Sequence, residues 1–521
     1  MLRASVIVPV YEPKENFDDL IRSFDRQTLD TAEFEVLLCD DGSGEATQAR
    51  LAEVARTRPN VRVLTLPHTG WPGTPRNAGI DAAEGTYVFF ADQDDRLFDG
   101  ALQAMCDYAD RNTSDVVIGK VVGVGRKIPA AMFRRDIPSA ELGRDPILDM
   151  LTPHKMFRTA FLRDHGIRYP DGRVRLEDHL FVMRAYFAAR TISVLASTPC
   201  YAWLKNPGSA SSARIDPDTY FPHLEAVLDL VESNTEPGRL RDTLLRHWYR
   251  GKILNRLSGK RIARYPDEYR TRFFDAVIPL IQRHFGPGVD AKLSLPLRVR
   301  SALLHADRRD DLLRFAEFEA GLTTRPQVTS ARWTRRGTLA LTVEARIVTA
   351  DGEPLAFESI ATDASGPTST WQPPAHLALG DLPAETLDAT RDLTKDRIEL
   401  AIRNKAAGID RRIPGDQRPD GAARHADLDP LFVFGRDETY TSGRLHATVT
   451  HGGFEISTPL HADPAIIAAL GPSPLLAGRR CELVLDEDGS LELRREWPGG
   501  KARNLIARTV GRLRRTVTRQ D

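Results

Sequence analysis

The stretch Tyr87–Asp95, which reads YVFFADQDD, decides how the first third of this chain folds. A short apolar run ends abruptly in Asp92, Asp94 and Asp95, as a buried strand does at the edge of a sheet. Three carboxylates at one strand end repel one another unless a cation or solvent compensates their charge. Hard divalent ions such as Mg²⁺ and Mn²⁺ take oxygen ligands and commonly bridge to phosphate oxygens. Taken alone, the stretch predicts either a metal site or a solvated acidic turn or helix cap.

Similar apolar runs lie upstream of this stretch, at Ser5–Val10, Phe34–Cys39 and Val61–Leu66, and they alternate with helix-like segments. Such alternation predicts βαβ units and a mainly parallel sheet, which is an α/β fold. Ligands bind beyond the carboxyl ends of the strands in such sheets, so the residues after each run are candidates for a site. Tyr11 follows the first run, where its ring could stack on a base. Asp41 follows the second, where its carboxylate could accept a hydrogen bond from a base N–H.

A helix start supplies a positive charge to the same predicted rim. The pattern predicts a helix over Pro75–Ala83, with Arg76 in its first turn. The helix dipole, the free N–H groups of the first turn and a guanidinium all favour phosphate. With three strand ends and this helix start converging, the context favours a binding site over a solvated turn.

Four segments, in this order and at this spacing, resemble the GT-A glycosyltransferases of family 2: Val8–Tyr11, Asp40–Ser43, Pro75–Ile80 and Phe90–Asp95. Each motif alone is common, whereas the ordered set is specific, and the resemblance covers about the first 215 residues. The resemblance implies a nucleotide-diphospho-sugar donor, a UDP-sugar, and a divalent ion, Mn²⁺ or Mg²⁺.

The resemblance also implies which residues contact the donor. They are Pro9, Val10, Tyr11, Asp41, Arg76 and Asp92. Of these, Tyr11 and Asp41 would lie at the base, and Asp92 near the ribose. Asp94 would ligate the metal, with Asp92 beside it. One departure is Glu12, because the family often has asparagine after the tyrosine.

A second acidic pair, Glu177–Asp178, precedes an apolar helical run. Acidic residues at a helix N-terminus complement the helix dipole, so a cap is the alternative reading of this pair. In family 2 an ED motif at this position supplies the catalytic base, and the resemblance places that role on Asp178. An inverting transfer needs a carboxylate opposite the leaving diphosphate to take the proton of the acceptor hydroxyl. Glu177 would hold the donor sugar or acceptor hydroxyls. The metal, Arg76 and Lys205 would offset charge on the departing diphosphate.

The segment Tyr201–Ser209 resembles the mobile loop that closes over the donor in these enzymes. Relatives often carry an arginine or a metal-ligating histidine there, whereas this chain has Lys205 and no histidine. The resemblance therefore leaves the third protein ligand of the metal unassigned. His68, His154 and His179 are nearby in sequence, but a lone histidine is more often structural.

The sequence predicts four regions. They are a GT-A domain at 1–216, a helical linker or acceptor-side domain at 217–322, an immunoglobulin-like β-sandwich at 323–500, and a basic amphipathic helix at 501–521. The β-sandwich prediction rests on period-two alternation of apolar residues and on hairpin turns such as Asp488–Gly489. Within this region, Gly408–His425 is predicted to be a long inserted loop.

A basic face is predicted in the helical linker, where Lys252, Arg256, Lys260 and Arg264 recur at every fourth position. Such a face would suit a polyanionic acceptor, although a solvated helix surface would look the same. The β-sandwich is predicted to support a homo-oligomer. The basic helix at 501–521 is predicted to contact the anionic inner face of the plasma membrane, or else the protein's own domains.

Composition excludes several classes of protein. The 72 basic and 72 acidic side chains cancel, which argues against a protein that coats nucleic acid through bulk charge. The four cysteines are far apart and have no metal-type spacing, which indicates reduced thiols in the cytoplasm. No apolar run approaches the ~20 residues of a membrane span, and the N-terminus does not resemble a signal peptide.

The arrangement of a GT-A domain, a basic helical linker and a β-sandwich resembles the wall-teichoic-acid glycosyltransferases. That resemblance implies transfer of a sugar, N-acetylglucosamine in the first instance, to a hydroxyl of a polyol-phosphate polymer. One alternative is a family 2 transferase that builds a capsular or extracellular polysaccharide or another glycoconjugate. Another is an inactive carbohydrate-binding scaffold, against which the retained Asp94, Arg76 and Asp178 argue. A nucleotidyltransferase would share a similar donor site, but the glycine-rich N-terminal signature of that class is missing near Ser5–Tyr11.

Overall fold

The computed structural model describes residues 2–126, 128–129, 131–205, 214–360, 367–404, 409–417, 423–434, 442–476 and 478–496. Contacts divide the chain into two units. The first comprises residues 1–255 and 265–292, and the second comprises residues 256–264 and 293–521. The four-region division expected from the sequence stays a prediction.

The first unit is built on an eight-stranded sheet. Its strands are β1 (Ala4–Val10), β2 (Phe34–Asp40), β3 (Val61–Thr65), β4 (Tyr87–Phe90), β5 (Arg96–Leu97), β6 (Val116–Val124), β7 (Met156–Arg158) and β8 (Ile192–Leu204). Their order in the sheet is β3-β2-β1-β4-β7-β6-β8-β5. Strands β1 to β4 are mutually parallel, and β7 is antiparallel to both of its neighbours. The carboxyl ends of the first four strands therefore share one edge, as the sequence predicts.

Helices follow the strands as βαβ units require. They are α1 (Asn16–Asp25), α2 (Glu45–Thr57), α3 (Gly73–Ala82), α4 (Ala101–Asn112), α5 (Thr159–Asp164) and α6 (Glu177–Ala188). Helix α1 buries its apolar face, and every residue of β2 is buried, as expected for a central parallel strand. Helix α3 approaches β1 so closely that a Cβ on Gly79 would lie 2.4 Å from the Ile7 Cγ2 atom. This close approach fixes the height of Arg76 above the sheet.

The linker region is helical, as predicted. Its helices are α7 (Pro217–Ser233), α8 (Arg239–Trp248), α9 (Gly259–Ile262), α10 (Asp267–His284), α11 (Pro287–Asp290), α12 (Leu295–His305) and α13 (Arg309–Gly321). Between α8 and α9 the chain forms a π-helical turn at Tyr249–Ile253 and a 3₁₀ turn at Leu254–Leu257, and it is extended at Ser258.

The prediction of one continuous basic face on this linker is wrong. Lys252 lies in the π-helical turn, Arg256 in the 3₁₀ turn and Lys260 in α9, so the spacing of four does not correspond to one α-helical face. Glycine and serine have weaker helix propensity than the basic residues around them, and Ser258 begins a new helix instead of continuing the old one.

The remainder is rich in strands. These are β9 (Thr323–Thr324), β10 (Gln327–Trp333), β11 (Leu339–Glu344), β12 (Ile347–Val348), β13 (Ala356–Ile360), β14 (Thr368–Gln372), β15 (Arg397–Asn404), β16 (Ile409–Ile413), β17 (Gly415–Gln417), β18 (Ala423–Leu428), β19 (Ser442–His451), β20 (Phe454–Pro459), β21 (His461–Ala462), β22 (Arg480–Leu485) and β23 (Leu491–Glu496). Short helices lie among them: α14 (Ala384–Leu387), α15 (Thr390–Leu393), α16 (Pro430–Phe434) and α17 (Pro464–Leu470).

Two main sheets organise these strands, in the orders β17-β18-β11-β10-β21 and β16-β15-β19-β23-β22. Strands such as β11 and β19 alternate buried and more exposed residues, which confirms the period-two pattern. The predicted inserted loop at Gly408–His425 is wrong in the described part of that segment. Strands β16, β17 and the start of β18 occupy it, and its charged residues stand on an edge strand beside β15.

None of the helices in the described ranges is long and apolar enough to cross a membrane. The predicted basic helix at 501–521 lies outside the described residues.

Candidate active site

Asp41 and Tyr11 lie side by side at the ends of β2 and β1. The Asp41 N–H donates to the carbonyl of Val10 at 2.8 Å, which joins the two strand ends. The Asp41 carboxylate is buried and accepts three hydrogen bonds, from the backbone and hydroxyl of Thr69 and from the backbone of Gly70. This carboxylate thus organises the turn that follows β3.

The Tyr11 ring is 47% exposed and stacks on His68 with the ring centroids 4.4 Å apart. The side-chain amide of Gln93 holds the Tyr11 backbone on both sides, accepting from its N–H at 2.8 Å and donating to its carbonyl at 3.0 Å. Among the site residues predicted near Tyr11, Val10 is buried and Pro9 is partly exposed. Tyr11 therefore presents an accessible aromatic surface at the carboxyl end of β1, and its contact with the base of a donor stays a prediction.

The contacts of Glu12 give a structural reason for glutamate at a position where the family often has asparagine. Its carboxylate accepts from the Gly44 N–H at 2.7 Å and from the Thr47 hydroxyl at 2.9 Å, at the beginning of α2. The backbone of Glu12 is left-handed, with φ of 41°, which turns its side chain toward that helix. Glu12 is therefore committed to capping α2.

Arg76 lies at the centre of the site. Its guanidinium is buried and donates to Asp92 Oδ1 at 2.8 Å and to Asp178 Oδ1 at 2.9 Å. The Tyr169 ring packs against the same guanidinium, with the Arg76 Cζ 5.1 Å from the ring centroid. Residues that are 16 and 102 positions away from Arg76 in the chain thus meet on its two terminal nitrogens.

The two carboxylates that bind Arg76 have pKa values shifted in opposite directions. Burial disfavours the ionised form of Asp92, but His154 and Arg76 outweigh that effect and hold the pKa of Asp92 well below its usual range. Burial raises the pKa of Asp178 by more than Arg76 lowers it, and the charge of Asp92 adds to the rise. Burial and the charge of Asp178 also raise the pKa of Glu177. Pairs whose pKa values are pushed apart in this way are typical of acid–base sites.

A buried group of potential metal ligands lies beside Asp92. The ligand atoms of Asp92, Asp95 and His154 are within 4.8 Å of one another, and His154 Nε2 is 3.0 Å from Asp92 Oδ2. The Asp95 carboxylate accepts from the Tyr201 hydroxyl and from the Leu204 N–H, both at 2.7 Å. Asp95 lies in the acidic stretch for which a metal site was predicted, but the ligand role was assigned to Asp94 and Asp92 and not to Asp95.

Asp94, the metal ligand expected from the resemblance, is partly exposed and is not a member of that group within the described residues. The guanidinium of Arg126 lies over Trp203, with its Cζ 3.5 Å from the ring centroid. Burial lowers the pKa of Arg126, and the charges of Asp95, Asp94 and Asp92 oppose that shift. Arg126 is thus a cation beside the acidic strand end, and no local motif marked it.

Two further residues considered from the sequence are Lys205, which follows the Asp95 partner Leu204, and His179. Lys205 is exposed and its N–H donates to the Val124 carbonyl at the end of β6. His179 accepts a 3.0 Å hydrogen bond from the Trp248 indole, and burial with the charges of Lys252 and His247 holds its pKa well below the usual range. His179 therefore joins α6 to α8 as a neutral side chain.

Two regions of the chain match models of known protein families. Residues 5–169 match the model of the glycosyl transferase family 2, and residues 217–316 match that of the glycosyl transferase TarS linker domain. The family 2 model thus matches the N-terminal region and the TarS linker model matches the helical region after it, which confirms the resemblance seen in the sequence.

Among curated proteins, the chain is 32% identical over 316 residues to the poly(ribitol-phosphate) β-N-acetylglucosaminyltransferase TarS of Staphylococcus aureus, covering 60% of this chain and 54% of TarS. It is 28% identical over 322 residues to the poly(ribitol-phosphate) β-glucosyltransferase of Bacillus spizizenii, covering 61% and 50% of the two chains. The chain spans about half the length of these curated relatives. A crystal structure of residues 1–349 of S. aureus TarS in complex with UDP-GlcNAc matches with a TM-score of 0.55 and 29% identity, covering 68% of this chain and 98% of that one.

Proposed function

We propose that this chain is a metal-dependent, inverting glycosyltransferase that moves a sugar from a UDP-sugar to a hydroxyl of a polyol-phosphate polymer such as wall teichoic acid. The observation that carries the proposal is Arg76, held between Asp92 and Asp178 at the rim of a family 2 domain. The named relatives act on poly(ribitol phosphate), and one was crystallised with UDP-GlcNAc, which favours N-acetylglucosamine as the sugar.

The donor would lie along the shared strand edge, with its base on Tyr11 and its diphosphate toward Arg76 and Arg126. Both terminal nitrogens of Arg76 already bind carboxylates, so Arg76 orients Asp92 and Asp178 while adding positive charge to the pocket. Arg126 and the exposed Lys205 supply further positive charge for the leaving diphosphate.

Asp178 would act as the general base. The acceptor oxygen forms a bond to the anomeric carbon of the sugar, and the bond from that carbon to the diphosphate oxygen breaks. The hydroxyl proton passes to Asp178 and the nucleotide diphosphate leaves. The raised pKa of Asp178 makes it a better proton acceptor than an ordinary aspartate while Arg76 limits the rise. Attack opposite the leaving group inverts the configuration at the anomeric carbon.

The donor set fits a divalent ion, since the carboxylates of Asp92 and Asp95 and the Nε2 atom of His154 converge at one place. Asp92, Asp95 and His154 would hold Mn²⁺ or Mg²⁺, with Asp94 at the edge of the group. A bound ion would neutralise charge on the diphosphate. Titrating Mn²⁺ into the Asp94→Asn and His154→Asn variants, with electron paramagnetic resonance as readout, separates the two ligand assignments.

The experiment that tests the function begins with thermal shift of the full chain against nucleotide sugars in the presence of Mn²⁺. Stabilisation by UDP-GlcNAc, followed by mass-spectrometric detection of the sugar on poly(ribitol phosphate), is the expected result. Transfer to a neutral glycan and none to the phosphate polymer would favour a capsular or extracellular polysaccharide enzyme. Absence of both transfer and donor hydrolysis would favour an inactive scaffold.

Two further parts of the proposal concern the assembly and its location. The β-rich region would mediate a homo-oligomer, and light scattering that gives a monomer mass for the full chain would remove that idea. The enzyme would act in the cytoplasm at the inner membrane face, bound through residues 501–521. Flotation with anionic liposomes, with and without those residues, tests the membrane contact.

A further inference from the structure

Two arginines and a tryptophan form a cluster next to the proposed base. The guanidinium carbons of Arg173 and Arg175 lie 5.8 and 5.4 Å from the centroid of the Trp71 ring. Trp71 belongs to the loop that leads into α3, and both arginines belong to the loop that leads into α6. Only one residue, Leu176, separates Arg175 from the Glu177–Asp178 pair.

The fold holds these two loops together. The side-chain amide of Asn77 donates to the Tyr169 carbonyl at 3.0 Å and accepts from the Tyr169 N–H at 2.9 Å. Gly73, at the start of α3, lies so close that a Cβ there would be 3.0 Å from the Pro170 carbonyl oxygen. Trp71 is therefore held against the loop before α6 because residues of α3 contact the backbone of that loop.

The chain also turns sharply between the arginines and the acidic pair. Leu176 is left-handed, with φ of 63°, a strained conformation for a residue with a branched side chain. Just before it, the Arg175 N–H donates to His223 Nδ1 on α7 at 3.2 Å. Burial and the charge of Arg175 lower the pKa of His223, which keeps that nitrogen an acceptor. The hydrogen bond of its neighbour Arg175 helps to hold Leu176 in this strained conformation, and such strain is common beside functional sites.

The hydrogen-bonding capacity of the cluster points to an anion. Arg173 is exposed and forms no ion pair with a carboxylate among the described residues. The indole N–H of Trp71 is buried and lies near Glu177, whose pKa it lowers against the larger effect of burial, so Trp71 contributes its ring face to the cluster. Two guanidinium groups at one place match the oxygens of a phosphate.

The cation that contacts the proposed base is buried and bridges two carboxylates. Arg76 donates to Asp178 and Asp92 and is only 3% exposed, so its guanidinium presents little surface to a long polymer. A polyol-phosphate chain must nevertheless present one hydroxyl to Asp178. A phosphate bound by Arg175 and Arg173, three and five positions before that base in the chain, would align the hydroxyl.

We propose that Arg173, Arg175 and Trp71 form a phosphate subsite that binds the acceptor polymer next to the hydroxyl that receives the sugar. The subsite rests on the proposed function for its substrate, and its chemistry is recognition of a phosphodiester by two guanidinium groups held on an indole. The diphosphate of the donor offers the same phosphate oxygens to this cluster, so the test separates the two sources of phosphate.

The test compares the Arg173→Ala/Arg175→Ala double variant with wild type and with Arg190→Ala, which removes an exposed guanidinium just beyond the far end of α6. Three quantities are measured: the Kd of poly(ribitol phosphate) without donor, the Kd of UDP with Mn²⁺, and the KM for polymer. Charge-assisted hydrogen bonds of this kind are worth about tenfold in affinity each, so the polymer Kd and KM should rise roughly 10- to 100-fold.

The expected pattern is weaker polymer binding, an unchanged Kd for UDP, an unchanged kcat at saturating polymer and a reduced dependence of the polymer KM on salt. The Arg173→Lys/Arg175→Lys variant should recover part of the affinity, because charge remains while the planar fork is lost. Arg190→Ala should resemble wild type.

Two results would overturn the subsite: an equal loss of UDP affinity, which would assign the cluster to the donor, or unchanged polymer binding in the double variant. Failure of the proposed function gives a different signature. In that case the wild-type protein would bind the polymer through these arginines but would transfer no sugar to it.

Discussion

Replacing Asp178 with asparagine separates the chemistry of this carboxylate from its structural role. Asparagine keeps an oxygen where Asp178 Oδ1 accepts from Arg76 at 2.9 Å, so the guanidinium stays paired on both sides. The substitution removes the negative charge and the ability to take a proton. Loss of a positioned general base costs about 10²- to 10⁴-fold in rate, or roughly 3 to 5 kcal/mol of barrier.

The stability of the same variant follows from the sign of the pKa shift. The pKa of Asp178 is raised by burial, so between its unfolded and folded pKa values the folded chain binds more protons than the unfolded chain. The stability contribution of this group therefore falls as pH rises through that window, and ionised Asp178 costs folding free energy at neutral pH. Asp178→Asn should unfold at or above the wild-type temperature.

Asp92→Asn is the matched comparison, because Asp92 contacts the same guanidinium and its pKa is shifted the opposite way. A lowered pKa means that ionised Asp92 stabilises the fold at neutral pH, and this contribution is lost as pH falls through the folded-state pKa. Neutralising Asp92 weakens charge-assisted hydrogen bonds to Arg76 and His154, and should cost about 2 to 3 kcal/mol.

The assay measures sugar transfer, UDP affinity by calorimetry and thermal unfolding for both variants. We expect Asp178→Asn to lose transfer by at least a hundredfold with UDP affinity within about twofold of wild type and no loss of stability. Near-normal turnover by Asp178→Asn would refute its role as base. A large drop in its unfolding temperature would refute the electrostatic argument.

Three further predictions concern the surroundings of the site. Burial lowers the pKa of Lys155 to about 7, so between pH 7 and the ordinary pKa of 10.5 the unfolded chain binds more protons than the folded chain. In urea titrations, wild type should therefore gain stability relative to Lys155→Met as the pH rises from 7 to 9. A loss of stability over that range would contradict this. Gly79→Ala would place a Cβ 2.4 Å from Ile7 and should lower the free energy of unfolding in urea by about 1 to 3 kcal/mol. The control is Gly251→Ala, where a Cβ would have nothing within 4 Å and the loss should be under about 0.5 kcal/mol. Equal losses in the two variants would count against the close approach of α3 to β1. Asp41→Asn loses an acceptor for the backbone turn after β3 and should weaken UDP binding about tenfold in calorimetry, with unaltered affinity as the contrary result.

Much of the first domain was predictable because its signals are local. The run Phe34–Cys39 is apolar throughout and bounded by polar residues, so it indicates a buried parallel strand without knowledge of its neighbours. The period-two alternation in Leu339–Glu344 indicates a strand in the same way. The resemblance to family 2 rests on four ordered segments, and each of them is a strand end or a helix start that can be located from the sequence.

Local sequence patterns gave wrong predictions where the backbone conformation depends on packing against segments that are distant in the chain. The basic residues from Lys252 to Arg264 keep helical spacing, but the helix breaks into π and 3₁₀ turns, so the spacing does not specify a face. The polar segment Gly408–His425 looked like a loop because edge strands expose charged residues, and its pairing with β15 is non-local.

Local sequence patterns predict the order of strands and helices, with carboxylates and an arginine at their ends, because hydrophobic period and turn residues act within a few positions. The folded chain is needed to show that one guanidinium bridges Asp92 and Asp178 and that His154 contacts Asp92. It also brings Trp71 against Arg173 and Arg175. These contacts join segments up to about a hundred residues apart. Their distances, and the opposite pKa shifts that follow, depend on strand order and on how much water each group loses.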